Sequence, residues 1–242
     1  MLKLYAKSDV GIKRMNNQDF YDFGYFEDGA AWIIVCDGMG GANGGNIASE
    51  IATEKTKEYL IKNYESDSSL EKLLTDAVET ANKVVFEVSQ NDETLSGMGT
   101  TVVASIIKDG YAYIIHVGDS RAYIVREDEI EQITMDHSMV QELVMLGTIT
   151  EEEAKKHPQR NIITRALGIR NEVDTEFDKT ELKIGEKLLL CSDGLTSMVE
   201  DEDIIEIFDD YKGNELTDAL INAANQSGGN DNITVAVAEY ES

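Results

Sequence analysis

TTVVASIIKDGYAYIIHVGD (residues 100–119) consists of two apolar runs separated by Asp109-Gly110. Both runs are rich in β-branched and aromatic residues, and Asp-Gly suits a two-residue turn in which both central residues need positive φ. The stretch therefore predicts an antiparallel hairpin. Further strands are read in AAWIIVC (30–36), RAYIVRE (121–127), EKLLLCS (186–192) and NITVAVAEY (232–240). Three helices stand apart from them. Residues 69–90 carry Leu70, Leu73, Leu74, Ala77, Val78, Ala81, Val85 and Val88 on one helical stripe. Residues 45–64 show a weaker stripe through Ile47, Ile51 and Ala52, and residues 215–226 a third through Leu216, Leu220, Ala223 and Ala224. Clustered strands with hairpin connections favour an α+β fold over a doubly wound parallel sheet. Helices covering one face of each sheet give a four-layer α-β-β-α sandwich. No linker divides the chain, so residues 1–242 are expected to form one domain. Residues 135–170 differ: they are charged, helical in SMVQELVMLG (138–147), carry a Thr150/Glu153 capping box and stop near Pro158, the chain's one proline. This segment is expected to be a flap inserted on the sandwich.

Charge excludes several function classes. The 242 residues hold 47 acidic and 21 basic side chains, a net charge of −26. Such a surface repels nucleic acid and anionic lipid, so neither is expected as a ligand. The N-terminus has no apolar leader, and the longest apolar run, residues 30–36, is far shorter than a membrane span. A cytoplasmic monomer is expected. Cys36 and Cys191 end apolar runs and are expected to be buried free thiols, and the three scattered histidines show no zinc-ligand spacing. A bound metal would therefore be a hard ion with oxygen ligands.

The hairpin's last residue leads to the chemistry. Asp119 closes an apolar strand, as do Asp37 in WIIVCD and Asp193 in KLLLCSD, while Asp231 begins one in DNITVAV. Antiparallel neighbours start where their partners end, so all four carboxylates can share one rim. Asp-Gly also serves as ordinary turn chemistry. Four such sites against apolar strand ends point further, because clustered carboxylates repel unless a cation neutralises them. The glycines after Asp37 raise a nucleotide alternative, but the sixth position of a G-x-G-x-x-G counted from Gly38 is Asn43, and no Walker pattern occurs. Glycine there lets the backbone approach a metal, with the Gly38 carbonyl as a possible ligand. In GIKRMNNQDFY, Arg14 offers a planar fork for phosphate and Asp19 a carboxylate able to orient metal-bound water.

RMNNQD (14–19), VCDGMGG (35–41), SGMGTTVV (96–103), IIHVGDSRAY (114–123), ITRALG (163–168), LLLCSDGL (188–195) and GGNDNITVAV (228–237) occur in that order. Together they resemble the metal-dependent protein serine/threonine phosphatases of the protein phosphatase 2C family, in its compact bacterial form. The resemblance implies a sandwich of two antiparallel sheets and a flap. It implies that Asp37 bridges two Mg²⁺ or Mn²⁺ ions with the Gly38 carbonyl on one, that Asp193 and Asp231 complete the other, and that Asp119 with Asp193 holds a third, weaker ion. Arg14 would grip the phosphate and Asp19 would bond metal-bound water. A hydroxide bridging the two ions would attack phosphoserine or phosphothreonine in line, with no phosphoenzyme. Some members have histidine after the Asp-Gly; Met39 stands here, which removes that proton donor and leaves a metal-bound water. His116 and His157 read as structural. Phosphoproteins, including a bacterial Ser/Thr kinase and its targets, are the implied partners. Two rivals fare worse: a non-catalytic regulatory module would have lost ligands, and an N-terminal-nucleophile hydrolase lacks its nucleophile at Met1-Leu2.

Overall fold

A computed structural model describes residues 1–39, 44–66 and 69–241. The expected glycine turn therefore falls partly outside the described residues, at 40–43. In chain order the elements are β1 (Leu2–Asp9), β2 (Asp19–Tyr25), β3 (Ala31–Met39), α1 (Gly45–Asn63), α2 (Leu70–Asn91), β4 (Gly99–Thr100), β5 (Val102–Lys108), β6 (Tyr111–Val117), β7 (Arg121–Val125) and β8 (Ile130–Gln132). There follow α3 (Met139–Met145), α4 (Glu151–Lys155), β9 (Glu176–Glu181), β10 (Lys187–Cys191), α5 (Asp193–Thr196), α6 (Asp201–Asp210), α7 (Gly213–Gln226) and β11 (Ile233–Tyr240).

Two sheets form, one ordered β1-β11-β10-β7-β8 and the other β2-β3-β5-β6-β9 with β4 on the end of β3. Every pairing is antiparallel. The central hairpin β5–β6 turns at Asp109 and Gly110, with φ of 51° and 78°, the positive pair that the Asp-Gly turn requires.

Strand alternation separates the core into three layers. Ala31, Ile33 and Val35 of β3 face the gap between the sheets, with Leu188, Leu190, Ala236 and Ala238 opposite. Trp32, Ile34 and Cys36 face the other way, onto Leu73, Ala77, Val78 and Val85 of α2 and Ala48 and Ala52 of α1. Leu189, Cys191, Val235 and Val237 pack under Ile204 and Phe208 of α6 and Leu216 and Leu220 of α7. The fold is the expected α+β, four-layer α-β-β-α sandwich. Both cysteines are buried and free.

Some elements lay below the reach of the pattern. The strands β1, β2 and β9 are sheet edges, where a half-exposed strand carries charges such as Lys3, Lys7, Asp22 and Asp178. Asp231 was expected to open the last strand, which starts two residues later at Ile233. Between β8 and β9 the chain leaves the sheets, carrying α3 and α4, and an isolated bridge between Ser138 and Ile163 closes this excursion. Both halves of the Thr150/Glu153 capping box form. Among the described residues, no helix is long and apolar enough to cross a membrane.

Candidate active site

The rim where β3 ends opens into a cleft of about 580 Å³ lined by Arg14, Asp37, Gly38, Met39, Asp119, Asp193 and Asp231. Met15, Asn16, Gln18, Thr101, Asn161 and Ile163 complete the lining. The four aspartates thus meet, although they come from both sheets: Asp37 from β3, Asp119 from the β6–β7 turn, Asp193 from the start of α5 and Asp231 from the loop before β11.

Backbone packing determines where Asp37 points. Its amide donates to Thr101 Oγ1 at 2.9 Å, and its carbonyl accepts from the Thr101 amide at 2.8 Å and from Thr100 Oγ1 at 2.9 Å. Thr101 Oγ1 in turn lies 2.7 Å from Ser120 Oγ, so the Asp37 strand end and the Asp119 turn share one threonine. Next to Asp37, a Cβ on Gly38 would sit 2.1 Å from the Gly45 carbonyl oxygen and 2.6 Å from that of Gln18. Only glycine fits where α1 and the β2 approach close on this strand.

Asp19 stands directly opposite Asp37 in the β2–β3 register. It is 6% exposed and lies behind the cleft lining. Its Oδ2 accepts from Ser192 Oγ and Thr234 Oγ1, both at 2.7 Å, which ties an edge strand of one sheet to β11 of the other and to the residue just past β10. Arg14 donates through Nη2 to Asp231 Oδ2 at 2.7 Å. Its loop is docked on Asn232, whose Oδ1 accepts from the Gln18 amide at 2.8 Å and whose Nδ2 donates to the carbonyls of Val10 (2.9 Å) and Asn16 (3.0 Å). Gly229 adds its carbonyl, accepting from the amides of Ile12 and Lys13 at 2.8 and 3.0 Å.

Electrostatically the cluster is under tension. Burial, followed by repulsion from the other aspartates, raises Asp37 well above the carboxylate range. Burial and Asp193 push Asp119 up to about 8, and burial and Asp231 push Asp193 up to about 6. Burial lifts Asp19 to about 7 despite its two hydroxyl donors. Asp193 Oδ1 and Asp19 Oδ1 are buried without a hydrogen-bond partner. Orphaned carboxylate oxygens beside mutually repelling carboxylates fit a hard divalent cation, an all-oxygen donor set of the kind Mg²⁺ and Mn²⁺ take.

Several functional partners were not visible in the sequence. Asn232 is one, although it sits in the NDN triplet beside Asp231. Ser192, Thr234 and Thr101 are others, because single hydroxyls in or beside strand ends give no pattern. The histidines are not all scattered: His116 and His137 stack with ring centres 4.6 Å apart, and one nitrogen of each and a Glu176 oxygen lie within 4.8 Å of one another. His116 is buried, with Nε2 2.8 Å from the Met135 carbonyl.

The family described as protein phosphatase 2C matches residues 12–233. Protein phosphatase PhpP of Streptococcus pneumoniae is 40% identical over 238 residues, covering 98% of this chain and 96% of that protein. The serine/threonine phosphatase PstP/Ppp of Mycobacterium tuberculosis superposes with a TM-score of 0.91 at 38% identity, covering 100% of this chain and 99% of that one. The catalytic domain of PstP, solved in complex with two manganese ions, gives 0.88 at 36% identity, covering 100% and 99%. The chain belongs to the protein phosphatase 2C family and is a serine/threonine protein phosphatase.

Proposed function

We propose that the cleft hydrolyses phosphoserine and phosphothreonine esters of proteins, with Asp37, the Gly38 carbonyl, Asp193 and Asp231 as ligands of two Mg²⁺ or Mn²⁺ ions. Asp119 with Asp193 holds a third, weaker ion. Ions held there would supply a hydroxide nucleophile at neutral pH for in-line attack on phosphorus and would offset charge on the phosphoryl oxygens. The supporting observation is the meeting in one cleft of four half-buried aspartates from both sheets, with Asp193 Oδ1 and the Oδ1 of nearby Asp19 lacking any hydrogen-bond partner.

The chain's own groups then have distinct tasks. Arg14, already bonded to Asp231, is held at the cleft mouth by the Asn232 clasp and presents a guanidinium to the phosphoryl group. Asp19, immobilised by Ser192 and Thr234, keeps one oxygen free to accept a proton from a water near Asp37. Met39 lines the cleft and has no proton to give, so the leaving alkoxide takes its proton from solvent-derived water. The whole chain acts as one catalytic domain, and residues 135–170, which contribute Asn161 and Ile163 to the lining, act as its flap. Substrates are phosphoproteins, including a bacterial Ser/Thr kinase and its targets, met in the cytoplasm by a monomer.

Hydrolysis of p-nitrophenyl phosphate and a phosphothreonine peptide should require Mn²⁺, stop with EDTA and be lost in Asp37→Asn. Metal-independent turnover, or full activity in Asp37→Asn, would overturn the assignment.

A further inference from the structure

The turn that carries Asp119 is gripped from both sides by two consecutive residues at the root of the 135–170 segment. On one side Asp136 accepts from Arg121 Nε at 2.8 Å and Nη2 at 2.7 Å. On the other, Gly118 donates its amide to His137 Nδ1 at 3.1 Å, while its carbonyl accepts from the His137 amide at 2.9 Å. Gly118 has a φ of 109°, and a Cβ there would lie 2.5 Å from Thr101 Cγ2, so the turn has little freedom to aim Asp119 elsewhere.

Accepting at Nδ1 sets the tautomer of His137, whose proton in the neutral ring must be on Nε2. That nitrogen lies 3.1 Å from Glu176 Oε1 and 3.2 Å from Arg165 Nη1; with Nδ1 already accepting from Gly118, its proton is directed to Glu176 Oε1, to which Arg165 Nη1 also donates at 2.8 Å. Arg165 belongs to the strand-like return of the excursion, where the amide of Thr164 donates to the His137 carbonyl at 2.8 Å. Although His116, His137 and Glu176 bring three donor atoms together, this tautomer withholds the His137 Nε2 lone pair from any ion. The ring's two nitrogens instead connect two places: Nδ1 the Asp119 turn, Nε2 the far end of the flap.

We propose that His137 is a positioning residue, whose Nδ1 fixes Gly118 and so the aim of Asp119, and whose Nε2 couples that aim through Glu176 to Arg165 at the flap's return. The inference rests on the reading of Asp119 as a ligand of the weakest ion.

Asparagine and glutamine separate the two arms, because the amide of Asn reaches the place of Nδ1 and that of Gln the place of Nε2. Mn²⁺ titrations followed by electron paramagnetic resonance are compared for wild type, His137→Asn, His137→Gln and His137→Leu. His137→Gln and His137→Leu should weaken the weakest ion about tenfold or more, with the two tighter ions unchanged, and His137→Asn should retain it. Imidazole ¹⁵N NMR of the metal-free protein should show the Nε2–H tautomer. A weakest ion unaffected by His137→Gln, equal weakening of every ion, an Nδ1–H tautomer, or Zn²⁺ ligated by His137 would each overturn the proposal. If His137→Leu does not fold, the Asn and Gln pair decides alone. A wild type with no third ion overturns the Asp119 reading and this inference together, whereas a third ion indifferent to His137 overturns only the inference.

Discussion

Asp19→Asn should stabilise the metal-free protein while crippling the enzyme. Asp19 is buried, and burial is the main cause that lifts its pKa from 3.8 to about 7. Each whole pKa step corresponds to ~1.4 kcal/mol, so the ionised carboxylate costs at most ~4 kcal/mol at pH 8. The sign follows from linkage. A carboxyl with a raised folded-state pKa keeps its proton in the folded state, so the penalty is absent below pH 3.8, grows as pH rises, and is complete above about 7. Asparagine cannot ionise. Its Oδ1 can still accept from Ser192 and Thr234, and its NH₂ takes the place of the orphaned Oδ1 near the other carboxylates. Allowing half the ceiling for relaxation, a gain of ~2 kcal/mol at pH 8 corresponds to a Tm higher by ~4–8 °C for a chain of this size. Differential scanning calorimetry in EDTA should show that gain at pH 8 and almost none at pH 4. In saturating Mn²⁺ the order should reverse, because the ion stabilises wild type more. A metal-free variant that melts below wild type at pH 8, or a difference independent of pH, would refute the reasoning.

Metal-free wild type should lose stability from pH 5 to pH 8.5, because burial raises Asp37, Asp119 and Asp193 as well; thermal melts with and without Mn²⁺ should diverge as pH rises, and the apparent ion affinity measured by calorimetry should rise over the same window. Arg14→Ala should lower kcat/KM for a phosphopeptide by about 10²-fold, the worth of a charge-assisted contact, with Arg14→Lys between; steady-state kinetics check it. Gly38→Ala should cost ~3 kcal/mol or more, read by urea unfolding, because its methyl would lie 2.1 Å from a backbone oxygen that has no room to retreat. Asn232→Ala removes three hydrogen bonds from the Arg14 loop and should raise KM more than it lowers Tm, seen by pairing kinetics with melts.

What could be read in the sequence was whatever repeats or punctuates. The Asp109-Gly110 turn gave away the hairpin, and the α2 stripe gave away the helix that covers β3, because periodicity and turn chemistry are local. The four cleft aspartates stood out because each interrupts an apolar strand end, where a charge is costly unless used. Asn232 and the hydroxyls of Ser192, Thr234 and Thr101 stayed hidden, since their role depends on partners up to 222 residues away. His137 was hidden for the same reason: its three partners, Gly118, Arg165 and Glu176, come from separate elements. The edge strands β1 and β9 escaped because half their residues face water and follow solubility rather than the core.

The inter-sheet layer has a bearing on the ions that its position far from solvent conceals. Asp37 rides on one sheet, and Asp193 and Asp231 on or beside strands of the other, so the gap between the sheets sets the spacing of the carboxylates proposed as ligands. That gap is held narrow by Ala31, Ala112, Ala122, Ala236 and Ala238. Enlarging any of these alanines should wedge the sandwich apart and splay the proposed ligands without touching the cleft. Selection for cation affinity should therefore act on residues deep in the core, and changes there would pass for active-site variation.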